Sequence, residues 1–174
     1  MKQHSLSLVF SLFFSITALM AQPAMASLPH VVIAGNQGGL LDKSPFDTDS
    51  IKGKVYALFH VDPDEKDLNN DASEALKTEN FSKDKFGSIA IINMGATHMP
   101  NFLIEVSLKL KQKRYPDTIY VKDFNKTFVK EWKLQDDSSS IIIFDKNGNP
   151  VYRFEGKLPA DEIAKMIKAV RDNL

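Results

Sequence analysis

The sequence predicts an α/β fold, a three-layer α/β/α sandwich around a mixed sheet with an N-terminal hairpin. Three observations predict it. Lys54 to Val61 (KVYALFHV) is apolar on both alternating faces, the pattern of a central strand covered by helices on either side. Strand and helix patterns alternate after it, which implies a mostly parallel sheet. A closing pair of strands joined by the turn Lys146-Asn147-Gly148-Asn149 makes part of the sheet antiparallel.

Met1 to Ala26 reads as a secretory leader. Lys2 supplies the positive start, Leu6 to Met20 is an apolar run, and Ala24-Met25-Ala26 is an A-x-A cleavage site before Ser27. The apolar run is short for a spanning helix, which needs about 20 residues, so no stable membrane insertion is expected after cleavage. The expected address is the periplasm. Residues 27–174 then form one domain of 148 residues, a length that buries enough surface to fold without staples. The chain has no cysteine, which excludes disulfides and every form of thiol catalysis. After the leader, 21 basic side chains face 22 acidic ones. That balance lacks the basic stripe of a nucleic-acid binder.

Val31 to Leu41 reads as a hairpin, with Val31-Val32-Ile33 returning through a Gly-rich turn to Leu40-Leu41. Asp42 to Lys54 is a polar connection, and Asp62 to Asp71, with Pro63, a loop. Ala72 to Phe86 is a helix candidate, and Ser88 to Met94 a second buried strand. Pro100 to Arg114 reads as a helix with proline in its first turn and Leu103, Val106 and Leu110 on one face. Its basic end, Lys109 to Arg114, complements the helix dipole. Thr118 to Lys122 is a third strand, and Asn125 to Lys133 a short helix or turn carrying Trp132. Ile141 to Asp145 and Val151 to Glu155 are the closing strands. Pro159 to Asn173 is the last helix, with Ile163, Met166, Ile167 and Val170 at i, i+3, i+4, i+7.

This order resembles the thioredoxin-like superfamily in its periplasmic thiol-disulfide oxidoreductase form. The likeness is carried by Gly53-Lys54, Tyr115-Pro116, Ile142-Ile143-Phe144-Asp145 with Asn147-Gly148, and Gly156 to Ile163. More narrowly, the span from Tyr115 through Asp136-Asp137-Ser138-Ser139-Ser140 to the final helix is similar to the YtfJ family of exported thioredoxin-like proteins, whose function is not established. The resemblance implies a thioredoxin-like sandwich. It would place the two cysteines of a C-x-x-C motif near Glu65 and Leu68, and the cis-proline of redox-active relatives near Ser139. None of these residues is present, so the chemistry usual to the fold is excluded and binding in its peptide groove comes into question.

Ligands of open α/β sheets bind outside the carboxyl ends of the parallel strands. That edge should gather His60, Asp62, Asp64 and Glu65 after the central strand, His98 after the second, and Ser138, Ser139 and Ser140 from the other side. His60, Asp62 and His98 have the side chains of a transition-metal site, although no cofactor is otherwise expected. A hydrolase with Ser139 as nucleophile and His60 as base is a second arrangement, without a G-x-S-x-G elbow. The reading favoured is a non-catalytic binding domain for an exported protein or peptide. The alternative is a metal-dependent or acid–base enzyme using His60, Asp62, Asp64 and His98. Asn125 and Asn80 stand in N-x-T and N-x-S acceptor patterns.

Overall fold

The computed structural model describes residues 25–174, so all but the last two residues of the leader lie outside the described residues. The central strand forms as β4, Val55–Val61, preceded by three short strands: β1 (Val32–Ile33), β2 (Gly38–Leu40) and β3 (Phe46–Asp47). The rest follow as α1 (Asn70–Thr78), β5 (Phe86–Asn93), α2 (Asn101–Arg114), β6 (Thr118–Asp123), α3 (Thr127–Trp132), β7 (Ser139–Phe144), β8 (Pro150–Glu155) and α4 (Ala160–Asn173). The main sheet has the order β2-β6-β5-β4-β7-β8. β4, β5 and β6 run parallel; β2, β7 and β8 run antiparallel to their neighbours.

The alternation of side chains across a strand sorts the core into two layers. Leu58, Ile89, Ile91, Val121, Ile142 and Phe144 point to the layer that holds α3 and the N-terminal strands. There Phe128 meets Trp132 edge-on at 4.7 Å between ring centres. Val55, Ala57, Ile141 and Ile143 point the other way, onto α1 and α4. Ile92 and Tyr120 share that second face and pack against Ile104 and Leu108 of α2.

Three local readings change. An N-terminal antiparallel pair exists, but Val32 and Ile33 pair with Asp47 and Phe46, not with Leu40-Leu41. β2 instead joins the main sheet against β6. Gly38 permits this: its φ is +132° and any Cβ would lie 1.8 Å from the Lys122 carbonyl oxygen, so only glycine fits. Second, α1 stops at Thr78, well short of Phe86. Asn80 turns the chain with φ +48°, and Phe86 is claimed by β5, where it pairs with Val55 and packs on Phe81. Third, α2 forms where expected but is rotated. Ile104 and Leu108 are buried, while Leu103, Val106 and Leu110 are exposed. Ile104 and Leu108 suffice to seat the helix on Tyr120 and Ile92.

Candidate functional site

At the carboxyl ends of the parallel strands, the α3-side face carries a row of buried polar side chains. His60 of β4 stands opposite Ser140 of β7, which stands opposite Glu155 of β8. One rung further out, Asn93 of β5 stands opposite Asp123 of β6. His60, Asn93, Asp123 and Ser140 are all fully enclosed. Asp123 accepts from the amides of Asn125 at 3.1 Å and Phe128 at 3.0 Å, which anchors the start of α3. Ser140 donates to Glu155, and Arg153 holds the other Glu155 oxygen at 2.7 Å. Asn93 donates to Asp136 at 3.1 Å, and Lys126 closes on the same carboxylate at 2.5 Å.

His60 is the exception within this row. Among the described residues, neither ring nitrogen has a hydrogen-bond partner, nor does Asn93 Oδ1. Burial pushes the His60 pKa down to about 4, against the pull of Asp123, Glu155 and Asp136. The ring is therefore neutral at pH 7, since desolvation penalises the charged form. Burial pushes the Asp62 carboxyl the other way, above the usual range, and like charges on Asp64, Asp137 and Glu65 add to it.

The predicted edge residues separate into three settings. Asp62 is buried and caps the short turn Pro63–Glu65 by accepting from the Asp64 amide at 2.8 Å. Its own amide donates to the Ser138 carbonyl at 3.0 Å. Asp64 accepts from Thr97 Oγ1 at 3.0 Å, tying the loop after β5 to the loop after β4. Glu65 and His98 are exposed. Among the described residues, the one group whose ligand atoms lie within 4.8 Å of one another is His30, Asp47 and Asp49, all exposed. His60, Asp62 and His98 do not form such a group. Ser139 pairs with Val61 while Ser140 pairs with His60, so Ser139 and His60 face opposite sides of the sheet and cannot act as nucleophile and base. The acceptor pattern at Asn125 lies in an exposed turn before α3, and Asn80 is exposed at the end of α1.

A second feature leaves no mark in the sequence pattern. A groove of 820 Å³ runs along the opposite face, between α1 and α2. Phe59 and Val61 of β4, Phe86 and Ile92 of β5 and Tyr120 of β6 lie in its floor and sides. It exists because the middle of its floor is small: β5 presents only Ser88 and Ala90 there, and α2 adds Ser107. Met99, Leu103 and Leu110 form one lip and are all exposed. On the outer side of α2, Phe102 (65% exposed) and Val106 (56%) continue the apolar surface. Among the described residues, no helix is long and apolar enough to cross a membrane.

Comparison with known proteins agrees with this architecture. The chain is similar to the uncharacterized protein YtfJ of Escherichia coli strain K12, 25% identical over 148 residues, covering 80% of each chain. Among solved structures it is similar to a protein described as the thiol:disulfide interchange protein DsbE of Chlorobium tepidum. The TM-score is 0.61 at 12% identity, with 88% of this chain and 99% of that one covered. A protein described as a thioredoxin from Neisseria meningitidis gives a TM-score of 0.57 at 14% identity, covering 84% and 90% of the two chains. These likenesses show the fold, thioredoxin-like, in a chain without cysteine. Residues 32–173 match the family described as "Bacterial protein of unknown function (YtfJ_HI0045)", and the chain belongs to it.

Proposed function

We propose that the protein is an exported, non-redox binding module whose ligand is another exported protein or peptide. The observation that carries this reading is the concentration of exposed apolar side chains on one element. Met99, Phe102, Leu103, Val106 and Leu110 are all exposed on α2 and its entry. Contiguous apolar surface of this kind marks interaction sites. The leader read over Met1 to Ala26 supports export to the periplasm, and the absence of thiols removes the nucleophile of the fold's usual reaction.

Two experiments test the reading. A photoreactive residue placed at Glu65 or Val106, both exposed, should yield a discrete protein adduct in cells where export is verified. Absence of any adduct from both positions would count against a protein partner. Purified protein should reduce insulin disulfides no faster than background, and turnover above background would end the non-redox reading.

A second reading, a metal-dependent or acid–base enzyme built on His60, Asp62, Asp64 and His98, draws support from one observation, the unbonded imidazole of His60. Metal analysis of untagged protein decides it. A stoichiometric transition metal lost on His60→Ala or His98→Ala would favour the enzyme.

A further inference from the structure

We infer that the groove between α1 and α2 is the docking site, and that its occupant is a segment of the partner protein combining apolar side chains with carboxylates. This inference rests on the binding reading above and specifies where and by what chemistry binding occurs. The groove supplies the apolar half of the recognition: an aromatic and aliphatic floor under an open lip at Leu103 and Leu110. Its volume falls within the range of about 300–1,000 Å³ usual for ligand clefts.

The charges at the rim supply the other half. Four cations line the groove: Lys66, Lys77, Lys111 and Arg114. Lys66 is held by Asp67 at 2.6 Å and Lys77 by Glu74 at 3.1 Å. Lys111 and Arg114 form no ion pair among the described residues; Arg114 rests over the Tyr115 ring at 5.3 Å. Both lining carboxylates, Asp67 and Glu74, are thus already ion-paired; Lys111 adds its charge to the field on Asp67 without closing a pair, and with Arg114 it leaves the rim two cations in excess for an incoming anion. An apolar trough ending in unpaired cations is complementary to an acidic, apolar segment.

Other occupants fit less well. A second copy of this chain would bring α2 against α2. That helix carries Lys109, Lys111, Lys113 and Arg114 against a single acid, Glu105, which Lys122 already neutralises at 3.1 Å. Like charges would face each other. A flat bilayer would meet Phe102 and Val106, which do not line the groove, and would leave its floor uncovered.

The test pans a phage-displayed library of short random peptides against the protein expressed from its full coding sequence. The expected result is enrichment of peptides rich in Asp or Glu beside large apolar residues. Lys111→Glu combined with Arg114→Glu should weaken their binding at least about tenfold. Ala90→Leu, which fills the floor and leaves the charges intact, should weaken it as well. Selected peptides that bind both variants undiminished would overturn the groove assignment while leaving a peptide-binding module standing. Failure to select any peptide would overturn the inference together with the binding reading. Cosedimentation with phosphatidylglycerol vesicles, abolished by Phe102→Ser and Val106→Ser with no peptide selected, would replace the peptide by an anionic lipid surface.

Discussion

The two faces of β5 carry the same chain in opposite circumstances. On one side Ile89, Ile91 and Asn93 lie at or near zero exposure beneath α3 and the N-terminal strands. On the other, Ser88 and Ala90 lie under an open groove. One face is closed with aromatic packing and a rung of enclosed polar groups. The other is roofed by a helix that buries only Ile104 and Leu108 while leaving five apolar side chains at or beside it in water. The difference teaches where stability is concentrated and where surface is left available for association.

The largest expected effect is on the closed face. Trp132 packs on Phe128 and Phe144 and donates from Nε1 to the Pro29 carbonyl at 2.8 Å. Trp132→Ala should cost about 3–5 kcal/mol, read from denaturant unfolding. A cost under about 1 kcal/mol would mean the closed face is less tightly packed than described.

Acidification attacks the same face through His60. Its pKa is lowered on folding, from 6.5 to about 4, so below 6.5 the unfolded chain binds a proton that the folded one refuses. The His60 contribution to stability should therefore fall as pH drops from 6.5 to 4 and level off below, where carboxylates held below their usual range, Asp136 and Asp145 among them, begin to lose theirs. At about 1.4 kcal/mol per pKa unit the loss amounts to about 3 kcal/mol. The raised Asp62 carboxyl acts oppositely: its contribution is complete below its unfolded value of 3.8 and is lost as pH rises from there through its higher folded value, so it partly offsets the His60 slope. His60→Leu, of similar volume, should flatten the curve between pH 4 and 6.5; an unchanged slope would assign it to other groups.

The open face should tolerate added bulk. Ala90→Leu projects into the groove and should change stability by less than about 1 kcal/mol, whereas inserting methylenes into a packed core costs about 1–3 kcal/mol. A larger loss would show that the groove floor is already filled. Smallest of all, Leu110→Ala, at a side chain 62% exposed, should fall within about 0.5 kcal/mol of the parent. A cost of core size would show that α2 closes onto α1 in solution.

Much of this contrast could be read in the sequence, and its limits are physical. The apolar run of β4 and the spacing of Met166, Ile167 and Val170 each encode an element within a short window, and both formed where expected. The antiparallel sense of the β1 pairing also held, but its partner did not, because β2 is drawn to β6 by Gly38 lying against a carbonyl more than eighty residues later. The orientation of α2 failed for a related reason. Its apolar residues surround the helix, so periodicity offers two inward faces, and the fit to Tyr120 and Ile92 chose the one with Ile104 and Leu108. His60 and Asp62 are legible as polar residues at a strand end, whereas nothing in the sequence pattern singles out Asn93, Asp123 and Glu155. Each ends a strand that reads as ordinary, and only the register places them in one row. Ser88, Ala90 and Ser107 likewise signal a groove only once two helices flank them.

The Arg153–Glu155 pair has a consequence for how the molecule behaves at high concentration. β8 is the last strand of the sheet on its side, and an unpaired strand edge is a template for copies to add to one another. Here two side chains that point inward from that edge are charged and bonded to each other, and Arg153 also grips the Trp132 and Lys133 carbonyls. A strand from a neighbour that invaded beside β8 would have to disturb this clamp. The same pair that completes the polar row is therefore also a charged, inward-pointing device of the kind that makes a strand edge a poor template for a copy.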